Sequence, residues 1–287
     1  MHIAVSGISY KSADLSIREK WIAQYKNIPG TVLLITCNRC EIYSSGPLPE
    51  NLNSHYCYYD FDCFFHLCLV ASGLDSAELA ETDIRRQIKQ AYERASIHDL
   101  PSSLHFLFQK SLKVGKEVHS SLFSHHSLMK TEKLIAKYLL PYELLLFIGS
   151  SQINRKIIEL LLDRGKKITL ASRHLPNPFL KKRGISFIPM EEVDSWWRYE
   201  AIVAATHNRG YLIEPHPNPS TQIIIDLSVP RCANPKVGVV IFNMDQLNTR
   251  LLQHHHSYEK ELERGKETIK KKCEQYMIRM NDCRISI

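Results

Sequence analysis

Leu144-Leu145-Leu146-Phe147-Ile148-Gly149-Ser150-Ser151-Gln152-Ile153-Asn154 is the stretch that decides the fold class. Five apolar residues in a row read as a buried strand, Gly149 turns the chain, and Asn154 to Arg164 is amphipathic at helical spacing. Lys167-Ile168-Thr169-Leu170-Ala171 follows as the next strand and completes a βαβ unit of about thirty residues. Short apolar strands recur at 201–205, 222–226 and 239–242. Strands alternating with helices imply a parallel sheet, so residues 141–243 read as a Rossmann-like domain.

A strand, a glycine turn and a helix make a phosphate site, because the N–H groups of a helix N-terminus face the anion. The turn runs Gly149, Ser150, Ser151, Gln152, Ile153, Asn154, and only the first of the three usual glycines is present. A doubly wound domain that binds no cofactor is the alternative. At the end of the second strand, NAD-binding units place an acidic residue to hold the ribose hydroxyls. This chain has Ser172-Arg173-His174 there, and an arginine suits a 2′-phosphate, so a bound dinucleotide is expected to be NADPH rather than NADH. Thr206 is placed to line the nicotinamide side. The plainer reading of Arg173 is a surface charge.

Upstream, residues 1–140 read as a mixed α+β domain. Ile3 to Ile8 is a short strand, and Ser16 with Glu19 forms a capping-box pattern for the helix that follows. Thr31-Val32-Leu33-Leu34-Ile35 is a buried strand that ends at Thr36-Cys37-Asn38-Arg39. The segment from Asp62 to Ser72 is apolar and helix-compatible. Asp75 or Ser76 is expected to cap a helix running to about Ala95, with Ile84, Ile88, Ala91 and Ala95 on its apolar face. Pro101 opens another helical stretch through Val118.

Cys37 is the candidate nucleophile. A thiol held at a strand end, close to a guanidinium, ionises more easily and attacks better. Arg39 alternatively grips a substrate carboxylate at two points. Cys37 and Cys40 also form a C-x-x-C spacing, which fits half a zinc site or a redox pair, but no second such pair appears. Cys37 as a merely buried small residue is the blandest reading. His66 is either a polar assistant in the same chemistry or a core histidine on a helix.

From Asp245 on, Leu247, Leu251, Tyr258, Leu262, Ile269, Cys273 and Tyr276 form one apolar stripe, which reads as a long C-terminal helix over 244–287. His254-His255-His256 point in different directions around that helix, so solvent exposure is expected rather than a metal site. The whole chain has 287 residues and a net charge of +7, enough for two domains and an appendage, and the mild basic excess fits a polyanion such as RNA. No run approaches the ~20 apolar residues of a helical span, and the N-terminus lacks a signal-peptide pattern, so the expected location is cytoplasmic.

Several of these motifs resemble the glutamyl-tRNA reductase family. Gly7-Ile8-Ser9-Tyr10-Lys11-Ser12-Ala13 with Arg18-Glu19 is similar to the family's opening, and Thr36-Cys37-Asn38-Arg39-Cys40-Glu41-Ile42-Tyr43 to its nucleophile motif. His66-Leu67, Val70-Ala71-Ser72-Gly73-Leu74-Asp75-Ser76, and Glu81-Thr82, Ile84, Gln87 and Lys89 resemble its glutamate pocket. Asp226-Leu227-Ser228-Val229-Pro230-Arg231 and Asp245-Gln246-Leu247 resemble its nucleotide domain.

The resemblance implies a mechanism. Cys37 attacks the ester of glutamyl-tRNA, a thioester forms, and NADPH reduces it to glutamate-1-semialdehyde, the first step of tetrapyrrole synthesis by the C5 route. It implies Cys37 and His66 as catalytic residues. It places Thr36, Asn38, Arg39, Ser76, Glu81, Thr82, Asp83 and Gln87 around the glutamyl group. Glutamate-1-semialdehyde aminomutase and a second copy of the chain are the implied protein partners, although most of the family's dimerisation domain is missing here. Tyr10 stands where the family usually has histidine, Ala80 where it has glycine, Asp83 where glutamine is common, and His119 where arginine is usual. A degenerate member that binds tRNA or a partner without turnover, and an unrelated NADP-linked dehydrogenase, are the competing readings.

Overall fold

The computed structural model describes residues 2–24, 28–48, 52–81, 83–123, 129–173, 183–206, 210–253 and 258–285. The chain forms two compact units, Met1–Leu128 together with Thr249–Ile287, and Met129–Asn248.

The first unit is built on an antiparallel sheet in the order β2-β3-β1-β4, with β1 at Ile3–Ser9, β2 at Val32–Ile35, β3 at Arg39–Ser45 and β4 at Tyr56–Tyr59. Side chains alternate between its two faces, as strand geometry requires. Ile3, Val5, Val32, Leu34 and Tyr43 enter the main core, and Ile8, Cys40 and Ile42 pack on Ala13 and Trp21 on the other side. Helices α2 (Asp60–Ser72), α3 (Asp83–Ser96) and α4 (Ser102–Phe123) bury their apolar faces in the main core. Gly73, in the left-handed conformation, ends α2 and donates to the carbonyl of Val70.

Helix α1 (Leu15–Gln24) is capped by Asp14, whose Oδ1 accepts from the N–H of Ile17 at 2.9 Å. The expected Ser16 cap therefore lies two residues too late; its hydroxyl donates to the same Asp14 oxygen. The expected cap at Asp75 or Ser76 is likewise displaced, and α3 begins only at Asp83. Asp75 is taken up by Lys11 and Arg39, and Ala80 sits at φ +55°, so the chain turns through 75–81 instead of coiling.

The second unit is a six-stranded parallel sheet in the order β10-β9-β8-β5-β6-β7. Its strands are β5 (Leu144–Ile148), β6 (Lys167–Ala171), β7 (Ser186–Ile188), β8 (Ala201–Ala204), β9 (Ile223–Asp226) and β10 (Val240–Asn243). The central strands are buried on both faces, which is why they read as continuous apolar runs. Helix α5 (Thr131–Leu139) packs on α6 (Gln152–Leu161), so this unit starts before the expected boundary at 141.

The expected single C-terminal helix is two among the described residues, α7 (Met244–Leu252) and α8 (Glu259–Ile285). His254 to His256 lie outside the described residues. Helix α8 belongs to the first unit rather than forming a third domain: Ile269 and Cys273 enter the main core, and Lys272 pairs with Glu117 of α4 at 2.6 Å. Among the described residues no helix is long and apolar enough to cross a membrane.

Candidate active site

Cys37 sits at the tip of the hairpin that joins β2 to β3. Thr36 builds that tip: its Oγ1 accepts the N–H of Asn38 at 3.1 Å and of Arg39 at 3.0 Å. The tip is then held from outside. Tyr10 donates its N–H to the carbonyl of Asn38 at 2.8 Å. The buried Arg18 guanidinium donates from Nη2 to the carbonyl of Cys37 at 3.1 Å and from Nη1 to that of Ala13 at 2.8 Å. Cys37 itself is half-buried. A thiol on a loop fixed by four such bonds has little conformational freedom left to lose.

Beneath the tip lies a buried ionic network centred on Glu41. Its carboxylate is fully enclosed and accepts from Arg39 at 3.1 Å, from His66 Nε2 at 2.7 Å, and from the hydroxyls of Tyr56 at 2.6 Å and Tyr43 at 2.7 Å. Burial alone would raise the Glu41 carboxyl, but His66 and Arg39 outweigh it and hold the group well below the usual carboxylate range. Arg39 also reaches Asp75, at 3.1 Å to Oδ2 and through a further bond to the carbonyl oxygen, and Asp75 pairs with Lys11. Glu41 reaches His66 and Tyr56 by crossing β1. Gly7 is the β1 residue paired with both Glu41 and Tyr56, and its missing side chain leaves the passage open.

The thiol departs from expectation. Burial first, then the Glu81 carboxylate, pushes Cys37 up to about 12, and Arg18 only partly offsets them. The guanidinium that acts on the sulfur is therefore Arg18, not the sequence neighbour Arg39, whose side chain turns into the Glu41 network. Cys40 packs among Ile8, Trp21 and Ile42, on the face of β3 opposite Glu41, and both it and Cys37 are free thiols.

In the second unit, Gly149 follows β5 at φ +93°, and a side chain there would fall 2.5 Å from the carbonyl of Ala205 and 2.9 Å from Thr206. Gly149 and Thr206 thus meet at the ends of β5 and β8, where the strand order reverses, the usual ligand crevice of such sheets. Ser151 caps α6 by accepting the N–H of Asn154 at 3.3 Å. Asn154 stands where a third glycine is usual, and its Nδ2 ties back to the carbonyls of Ile148 and Gly149 at 3.0 and 2.8 Å. The lost glycine is thereby replaced by a side chain that locks the turn. Asp226 anchors the loop after β9 by accepting from the N–H groups of Ser228, Cys232 and Ala233, and Ser228 Oγ accepts from the N–H of Thr206 at 3.2 Å.

Comparison with known proteins fits both units. Residues 6–122 match the glutamyl-tRNA reductase N-terminal domain model. The glutamyl-tRNA reductase of Chlamydia abortus is 32% identical, over 88% of this chain and 85% of that protein. The chain belongs to the glutamyl-tRNA reductase family. The family's enzyme from Thermoplasma acidophilum is 29% identical over 83% of this chain and 60% of its own length. The solved glutamyl-tRNA reductase from Methanopyrus kandleri shares the fold, with a TM-score of 0.52 at 22% identity over 99% of this chain and 82% of that one.

In this member of the family, the residues expected around a glutamyl group are spread over the tip, the 75–81 turn and the start of α3. Thr36, Asn38, Arg39 and Ser76 are buried. Glu81 acts on Cys37 through its charge, and Asp83 lies 3.8 Å from Arg86. Gln87 turns a buried Oε1 inward that has no hydrogen-bond partner among the described residues. Thr82 and His174 lie outside the described residues. Ser172 donates its N–H to Ile188 and Arg173 is exposed at the end of β6. Sequence reasoning missed Glu41, Tyr43 and Tyr56 as site residues. The signal was there in the alternation Arg39-Glu41-Tyr43, three polar or amphipathic residues on the inward face of one strand.

Proposed function

We propose that this chain reduces the glutamyl group of glutamyl-tRNA to glutamate-1-semialdehyde through a thioester on Cys37. The observation that carries the reading is the half-buried sulfur on a pinned hairpin, beside a buried acid–base network, in a chain of this family. The thiol is protonated in the free chain, so attack on the ester requires that its proton be taken up, and the carboxylate that acts on it most strongly is Glu81. Cys37 then carries the acyl group while the tRNA leaves with its 3′ hydroxyl. We assign Thr36, Asn38, Arg39, Ser76, Glu81, Asp83 and Gln87 to the glutamyl group, with Thr82 assigned from the family resemblance alone. Glu41 fixes the imidazole of His66 and the guanidinium of Arg39 in place. A carboxylate meeting Arg39 would share it with Asp75.

NADPH supplies the hydride that converts the thioester to the aldehyde. The residues present fit a dinucleotide: Gly149 brings the backbone close, Ser150, Ser151, Gln152, Ile153 and Asn154 form the helix start, and Ser172, Arg173 and His174 suit the 2′-phosphate, with Thr206 beside the crevice. Rossmann-type architecture supports a dinucleotide in general, and Arg173 supports the phosphorylated one.

The test is aldehyde formation from glutamyl-tRNA and NADPH by the purified chain, with Cys37→Ser expected to abolish it while tRNA binding persists. The raised thiol favours one rival, a chain that binds charged tRNA without turnover. Unchanged tRNA binding with no acyl transfer in the unaltered protein would establish that rival.

A further inference from the structure

Tyr10 presents the clearest group that the mechanism above leaves unused. Its hydroxyl oxygen is sealed from solvent and has no hydrogen-bond partner among the described residues. A buried hydroxyl without a partner is costly, and such atoms in native proteins call for a ligand or a function. The place of this one is specific. The Tyr10 N–H bonds the carbonyl of Asn38, the residue after the nucleophile. The phenol feels the charges of Asp75, Arg39 and Glu81, and Glu81 is also the carboxylate that acts most strongly on the Cys37 sulfur. The Tyr10 backbone is thus tied to the hairpin tip that carries the thiol, and its phenol and the thiol both feel the charge of Glu81. Burial, with Asp75 and Glu81 adding to it, raises the phenol above its ordinary range, so it stays a neutral donor at any working pH.

We propose that the Tyr10 hydroxyl donates a hydrogen bond to the acyl oxygen of the substrate held on Cys37, as an oxyanion donor. This rests on the thioester reading. When sulfur adds to the ester carbon, the carbonyl π pair moves onto oxygen, and the Tyr10 O–H meets that negative charge. The carbonyl re-forms as the ribose oxygen leaves and takes a proton. When hydride from NADPH adds to the thioester carbon, the same oxygen becomes negative again and meets the same donor, until the carbon–sulfur bond breaks and the thiolate departs. One fixed donor serves both steps, because the carbon stays on the same sulfur throughout.

The experiment compares the unaltered chain with Tyr10→Phe and Tyr10→His on glutamyl-tRNA and NADPH. Tyr10→Phe is expected to lower kcat about 100-fold with KM changed less than about twofold, the loss seen when a single oxyanion donor is removed. Release of tRNA in a single turnover without NADPH should slow by a similar factor. Thermal unfolding should be unchanged or shifted upward, since the hydroxyl has no partner to lose. Tyr10→His, which keeps a donor, should recover part of the rate. Full kcat in Tyr10→Phe, a rise in KM alone, or a loss of activity matched by a loss of thermal stability would each overturn the assignment. If the unaltered chain makes no aldehyde, the thioester reading itself fails, and the two failures are thus distinguishable.

Discussion

Gly7 and Glu41 face each other across paired strands, and a β-carbon on Gly7 would lie 2.8 Å from the Cγ of Glu41 and 2.6 Å from the carbonyl of Cys40. The backbone carbonyl cannot move without breaking the β1–β3 ladder. Gly7→Ala should therefore destabilise the first unit by about 2–3 kcal/mol, the range for overpacking a dense site. Urea denaturation at pH 7 measures it, and a loss below about 0.5 kcal/mol would show that Glu41 has another route to His66.

Glu41 makes stability depend on pH with a definite sign. Its folded carboxyl titrates far below the unfolded value of about 4.3, so its contribution is complete above that value and is lost as pH falls through it toward the folded one. Glu41→Gln leaves Arg39 and His66 buried without the carboxylate and should cost about 3–5 kcal/mol at pH 7. The gap between variant and unaltered chain should narrow from pH 5 to pH 3 in denaturation curves. A gap independent of pH would mean that the carboxylate is not the titrating group.

The Cys37 thiol, pushed up to about 12, should be alkylated slowly near neutrality. Labelling by iodoacetamide, followed by mass spectrometry of the peptide that carries Cys37, should accelerate about tenfold per pH unit from 7 to 10 without a plateau. Removing the carboxylate in Glu81→Gln lowers the thiol, so labelling at pH 8 should quicken. A plateau below pH 9, or no response to Glu81→Gln, contradicts this picture of the sulfur.

Arg173→Ala should weaken NADPH binding by about tenfold or more and NADH by less than about twofold, because only the former carries the 2′-phosphate. Fluorescence titration with both nucleotides decides it. Equal effects would leave Arg173 a surface charge.

Much of this was legible in the residues. The parallel strands of the second unit announce themselves because both faces are buried, and the Cys37 turn follows from a buried strand ending in Thr36. The Glu41 network was not legible. A glutamate in a strand reads as exposed, and only the pairing of β3 with β1, and of β1 with β4, brings Tyr56 and His66 to it. The start of α3 was misplaced for a related reason. Asp75 has the chemistry of a cap, but long-range partners 36 and 64 residues away claim it first. Asn154 shows the reverse case: a missing glycine reads as decay, and in three dimensions it is a replacement lock.

Helix α8 draws its partners α2 and α4 from the opposite end of the chain. On the ribosome, the parallel-sheet unit therefore has all its residues out while the unit bearing Cys37 still lacks its last wall. The core of that unit closes only when synthesis reaches Ile269 and Cys273, so its packing is a property of the chain through α8 and not of its amino-terminal segment alone.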